Sequence, residues 1–156
     1  MRVRNIPRRQ LGGWRHRQRV RTAGPIISGP ISRVHVSPTV GLADVLINTI
    51  GGSVEIRDYV FFGHDVLLLT GTHDFRLKNA QRQANRPTTD RNIIIESGAW
   101  IASRAVIIGP CRIGENAVIG CGCIVDFDVA PDTVVRLSQE ISRDPIAYRK
   151  AIVESY

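Results

Sequence analysis

Written in sixes, residues 95–130 read Ile95-ESGAW, Ile101-ASRAV, Ile107-IGPCR, Ile113-GENAV, Ile119-GCGCI and Val125-DFDVA. A β-branched aliphatic opens every hexad, and the fifth place holds Ala99, Ala105, Cys111, Ala117, Cys123 or Val129. The same register is read in Ile50-GGSVE, Ile56-RDYVF, Phe62-GHDVL and Leu68-LTGTH. Neither a helix nor a half-buried strand repeats with period six. The period follows if each hexad forms one side of a triangular prism, with three hexads to a coil. The leading aliphatic then points inward, the fifth position takes a small side chain near the corner, and glycine or polar residues make the turn. The expected fold is therefore all-β, a left-handed parallel β-helix, an exception to the right-handed crossover rule.

The repeat breaks after His73. Residues 74–92 contain few apolar side chains, and their basic residues outnumber the acidic ones by five to two. A coil cannot absorb such a segment, so it is expected to project as a loop, and long loops ejected from regular scaffolds tend to carry function. Before residue 50 the register slips, because Leu42 and Ile50 are eight apart, and Val34-HVSPTVGL is read as an irregular first coil. After Val135 the pattern ends. Asp144-Pro145 is a good helix start, so residues 146–155 are expected to form a short helix. The chain divides into a basic arm (1–33), a β-helix domain (34–135, with the loop at 74–92) and a helical tail (136–156). A total of 156 residues suits one such domain.

Charge is unevenly spread. Eight arginines fall within residues 1–21, whereas residues 22–156 carry 13 basic and 14 acidic side chains. The net charge of +7 thus belongs to the arm and not to the body. Such an arm can meet nucleic acid or an anionic membrane; a solvated or subunit-packing extension is the plainer reading, and no nucleic acid is expected as partner. No apolar stretch follows the basic start or reaches the roughly 20 residues of a membrane span, so a cytoplasmic protein without stable membrane insertion is expected. The cysteines Cys111, Cys121 and Cys123 read as small buried hydrophobes and not as a disulfide framework.

Among four histidines, His73 stands apart, because it closes the coil Leu68-LTGTH at the root of the loop. From position alone it is either a base in a cleft or a turn residue. The segments Val60-FFGHDVLLLTGTHDF, Ile93-IIESGAWIASRAVIIGPCRIGENAVIGCGCIV and Val129-APDTVV decide the matter by likeness. From about Asn48 to Val135 the chain resembles the hexapeptide-repeat acyltransferases of the maltose, galactoside and capsule-sugar O-acetyltransferase type. The resemblance implies a homotrimer with active sites between prisms, using acetyl-CoA or another acyl-CoA as donor, a saccharide as acceptor, and no metal. His73 would be the general base, a role suited to imidazole, and the backbone N–H of Ser103 would stabilise the oxyanion. Trp100 would wall the acceptor site from the neighbouring subunit, and Asn48 would bond the sugar. Ala102, Gly120 and Cys121 would line the pantetheine channel. Asp74 either orients His73 or caps the loop.

The family's usual closing turn is missing after Val135, and Phe127 stands between Asp126 and Asp128 where a basic or polar residue often meets the adenine. Two acids beside a phosphate-rich ligand are unfavourable, which leaves an acyl-carrier protein open as an alternative donor. A non-catalytic β-helix scaffold is the alternative function. A three-histidine zinc enzyme on this fold would need a third ligand besides His64 and His73, and the sequence supplies no candidate.

Overall fold

A computed structural model describes residues 24–137. The arginine-rich segment, Trp14 and the expected helix at 146–155 lie outside the described residues. In chain order the strands are β1 (Ile26–Ser28), β2 (Val34–Val36), β3 (Leu46–Asn48), β4 (Val54–Ile56), β5 (Phe61–Phe62), β6 (Leu67–Leu69), β7 (Ile93–Ile95), β8 (Trp100–Ile101), β9 (Val106–Ile108), β10 (Cys111–Ile113), β11 (Val118–Ile119), β12 (Ile124–Val125) and β13 (Val134–Val135). They form three parallel sheets, ordered β1-β3-β6-β9-β12, β2-β4-β7-β10 and β5-β8-β11-β13. From β3 to β11 the chain visits the first, second and third sheets in rotation, one strand on each per circuit; the first circuit has no strand on the third sheet, and the last has only the Ile113–Val129 bridge on the second. This repeating three-sided pattern is consistent with the β-helix read from the hexads.

Residue pairing shows why the hexads set the fold. Ile95 pairs with Ile113, Ile101 with Ile119 and Ile107 with Val125, each three hexads further along the chain. All six side chains are fully buried. Each inward aliphatic rests on its counterpart one coil away, and each fully buried one contributes about 1.5–3 kcal/mol of transfer free energy. Where the loop intervenes the partners are much farther apart in sequence: Ile56 pairs with Ile95, Phe62 with Ile101 and Leu68 with Ile107. The excess sits between β6 and β7, in the ejected segment, where α1 (Asn79–Ala84) is the one regular element.

The first complete coil departs from the expected register. Ile47, not Ile50, points inward and pairs with Leu68. Ile50, Gly51 and Gly52 are instead absorbed at the corner between the first and second sheets. The physical reason is a close backbone crossing. A Cβ on Gly51 would stand 2.2 Å from the Thr70 carbonyl oxygen, and one on Gly52 would stand 2.6 Å from the Arg91 carbonyl carbon. The buried Thr70 hydroxyl completes the corner, donating to the Asn48 carbonyl (2.8 Å) and accepting from the Gly51 N–H (3.0 Å). The coil also begins before residue 34, because β1 pairs with β3 in the first sheet. At the other end the last circuit is shorter, Ile119 pairing with Val135 before three full hexads have passed.

Turns between the second and third sheets stack in a column of left-handed residues, Tyr59 (φ 60°), Gly98 (74°), Asn116 (55°) and Asp132 (55°). That conformation favours glycine and tolerates Asn and Asp. At Gly98 a Cβ would also meet the Asn116 side-chain oxygen at 2.3 Å, so both space and backbone angle call for glycine. Cys111 and Cys123 are buried on different sides of the prism and all three cysteines are free. No helix among the described residues is long and apolar enough to cross a membrane.

Candidate functional site

The corner between the first and second sheets carries the ejected loop. Here β6 runs into the fully buried Thr70, and Gly71 and Thr72 bring the chain out to the exposed His73. The loop is fastened by arginines that donate to backbone carbonyls. Arg82 bonds Leu77 O (2.6 Å) and Phe75 O (2.9 Å), Arg91 bonds Thr70 O (2.7 Å), and Arg33 bonds the carbonyls of Thr49, Ile50 and Thr88. Two of the loop's five basic residues, Arg82 and Arg91, thus hold irregular backbone in place. Partial burial lowers the pKa of the Arg91 guanidinium from its usual value.

The same folding back of the loop orients the histidine. His73 Nδ1 lies 2.9 Å from the carbonyl oxygen of Arg82, on α1. A carbonyl oxygen only accepts, so Nδ1 carries the proton and the lone pair belongs to Nε2. His73 borders an open cleft of about 470 Å³ against Asn79, Arg82 and Gln83 of α1 and, toward the prism, two more. The larger of these two, about 360 Å³, runs toward Phe75, Arg91, Pro110 and Asp126. The smaller, about 200 Å³, is lined by Asn48, Ile50, Gly71, Thr72, His73 and Arg86.

Asn48 lines the smaller cleft together with His73. Its side-chain oxygen accepts from the N–H groups of Ile50 (3.1 Å) and Gly71 (2.9 Å), which fixes the orientation of the amide. Asp74 accepts from the backbone N–H of Arg76 (3.1 Å) and pairs with its guanidinium (2.8 Å), and His73 Nδ1 is held by the Arg82 carbonyl. Phe127 occupies the same corner of the prism lower down and is half exposed. Of its acidic neighbours, Asp126 lines the cleft of about 360 Å³, and Asp128 accepts the Arg112 N–H at 2.7 Å. The pKa of the Cys111 thiol behind this corner is pushed up to about 12, first by burial and then by Asp128 and Asp126, with Arg91 opposing; the thiol stays protonated.

The remaining expected residues gather at the corner between the third and first sheets. Ala102 is buried, and Gly120 follows it one coil on with Cys121 exposed beside it. The Ser103 hydroxyl accepts from His64 N–H (3.0 Å) and its carbonyl accepts from Gly122 N–H (3.1 Å). The Ser103 N–H itself makes no hydrogen bond among the described residues. Gly63, which sequence reasoning did not single out, keeps it accessible, since a Cβ there would lie 2.3 Å from that nitrogen. The available signal was positional: Gly63, Ala102 and Gly120 each follow an inward residue of the third sheet. Trp100 projects from the outer face of that sheet, stacked on Phe61 with ring centroids 5.6 Å apart, and Phe61 was also missed.

Within one chain, the corner bearing His73 and the corner bearing Ser103 flank opposite edges of the first sheet, so the two groups do not meet. The outer face of that sheet, between them, is apolar. Ile26, Leu46, Leu67, Val106 and Ile124 stand in register, with Leu69 and Ile108 beside them. The second sheet instead faces outward with His35, Glu55, Ile94 and Arg112. His64 lies 3.2 Å from Asp44, and no three His, Cys, Asp or Glu side chains converge as a metal site among the described residues.

Residues 92–126 match the family described as bacterial transferase hexapeptide (six repeats). Over 86 residues the chain is 33% identical to a galactoside O-acetyltransferase of Lactococcus lactis subsp. lactis, covering 53% of this chain and 38% of that protein. Over 93 residues it is 34% identical to a provisionally named acetyltransferase of Schizosaccharomyces pombe, covering 58% and 40%. The chain therefore spans about 40% of the length of these curated relatives. A solved hexapeptide-repeat containing acetyltransferase of Vibrio cholerae, complexed with acetyl coenzyme A, superposes with a TM-score of 0.48 at 23% identity, covering 72% of this chain and 66% of that one.

Proposed function

We propose that the chain, whose residues 92–126 match the hexapeptide transferase repeat and which is 33% identical over 86 residues to a galactoside O-acetyltransferase, transfers an acetyl or other short acyl group from acyl-CoA to a saccharide hydroxyl. The observation that carries this reading is the tie between His73 Nδ1 and the Arg82 carbonyl, which leaves Nε2 as a base at the root of the loop. Nε2 removes the acceptor hydroxyl proton as the oxygen attacks the thioester carbonyl. The new C–O bond forms, the tetrahedral oxyanion receives the Ser103 N–H, the C–S bond breaks, and the CoA thiolate recovers the proton from the imidazolium. Ala102, Gly120 and Cys121 would leave room for pantetheine along the neighbouring corner, with Phe127 near the far end of the donor, and Trp100 would wall the acceptor side.

Catalysis then requires two copies, since base and amide donor sit on different edges of one chain. Different patches meeting in this way make a heterologous contact, which closes as a ring when the rotation between copies closes, and a homotrimer would meet that need. The apolar outer face of the first sheet is the surface available for it. Leu67→Asp, on that face, is expected to shift light-scattering mass to the monomer and abolish turnover together; a fully active monomer would contradict the shared site.

Incubating the protein with acetyl-CoA and a panel of sugars and glycosides, and following free thiol, tests the reaction. Acceptor-dependent thiol release is expected. Its absence across neutral and charged saccharides, with either acetyl-CoA or an acyl-carrier donor, would favour the non-catalytic scaffold.

A further inference from the structure

The smaller cleft beside His73 is rich in hydrogen-bond donors. The Asn48 side-chain oxygen is already occupied by two backbone N–H groups, and its amide nitrogen makes no hydrogen bond among the described residues. No acidic side chain lines the cleft. Arg86 does line it, and unlike the clamping Arg33, Arg82 and Arg91, its guanidinium makes no hydrogen bond or ion pair among the described residues. Arg33 adds positive charge close by, bonded to the Ile50 and Thr88 carbonyls. His73, the proposed base, also lines the cleft.

From this arrangement we infer that the cleft selects a saccharide acceptor bearing a negative charge, with Arg86 as the specificity-determining residue. The inference rests on the transferase reading above and adds the class of acceptor. A planar guanidinium matches a pair of anionic oxygens, and hydrogen bonds to charged groups are about twice as strong as neutral ones. A carboxylate and a phosphate both provide such oxygens. The charged group would seat on Arg86 and Asn48, leaving a ring hydroxyl to approach Nε2.

The test compares methyl glucoside, methyl glucuronide and glucose 6-phosphate as acceptors with acetyl-CoA. An anionic acceptor is expected to exceed methyl glucoside in kcat/KM by at least about tenfold, and whichever of the two does so identifies carboxylate or phosphate. Arg86→Gln should cut that anionic-to-neutral ratio by about 10- to 100-fold, mainly through KM. Arg86→Lys, which keeps the charge but not the fork, should retain more of it. A wild type that favours the neutral glycoside, or a ratio that Arg86→Gln leaves unchanged, overturns the inference and leaves the transferase reading standing. Direct binding by calorimetry separates the two readings if no acceptor turns over. Arg86-dependent binding of an anionic sugar would then uphold its recognition and sink the transfer reaction, whereas no such binding would sink both.

Discussion

Replacing His73 by alanine is expected to lower acceptor-dependent thiol release by about two to four orders of magnitude, the usual contribution of a positioned general base. The fold should survive, because His73 is exposed and contributes nothing to the inward columns. Loop attachment should survive as well, since Arg82 still reaches the Leu77 and Phe75 carbonyls and Arg91 still reaches Thr70. Loss of rate with an unchanged urea midpoint would place the effect on chemistry. Turnover that survives the substitution intact would remove His73 from the mechanism.

The largest effect on stability is expected at Ile107. It is fully buried, lies in the first sheet between Leu68 and Val125, and belongs to the coil that carries Ile101 and Ile113. Truncation to alanine opens a cavity that rigid strands on either side cannot close, at a cost of about 2–5 kcal/mol. Domains of this size are stable by only about 5–15 kcal/mol. The urea midpoint should fall sharply with little change in slope. A midpoint shift worth less than about 1 kcal/mol would mean that neighbouring coils relax into the space, contrary to a prism of fixed register.

The regular part of the fold was legible because one physical requirement recurs at each coil: an inward branched aliphatic at every sixth position. Ile95, Ile101, Ile107, Ile113, Ile119 and Val125 all obey it. The reading failed at Ile50, where period alone could not reveal that Gly51 and Gly52 cross the Thr70 and Arg91 backbone and take up the slack of the corner. The place of His73 at the loop root was also visible in the broken repeat. Its partner was not, because the Arg82 carbonyl is brought back by the loop's own fold and a backbone acceptor leaves no mark in composition. Gly63 was hidden for a similar reason: what distinguishes it is the neighbouring amide it leaves uncovered. The apolar outer face of the first sheet could have been read from Leu46, Leu67, Leu69, Val106 and Ile108.

The step along the chain from Leu68 to Ile107 equals those from Ile56 to Ile95 and from Phe62 to Ile101. The chain leaves the prism at Thr70 and returns at Ile93 with all three columns still aligned. None of residues 74–92 belongs to the buried core, so the excursion adds no side chain to the inward columns. Such a scaffold separates the part that must stay constant to stand up from the part that must vary to recognise a new molecule. It thereby allows recognition to diversify at little cost to the coil.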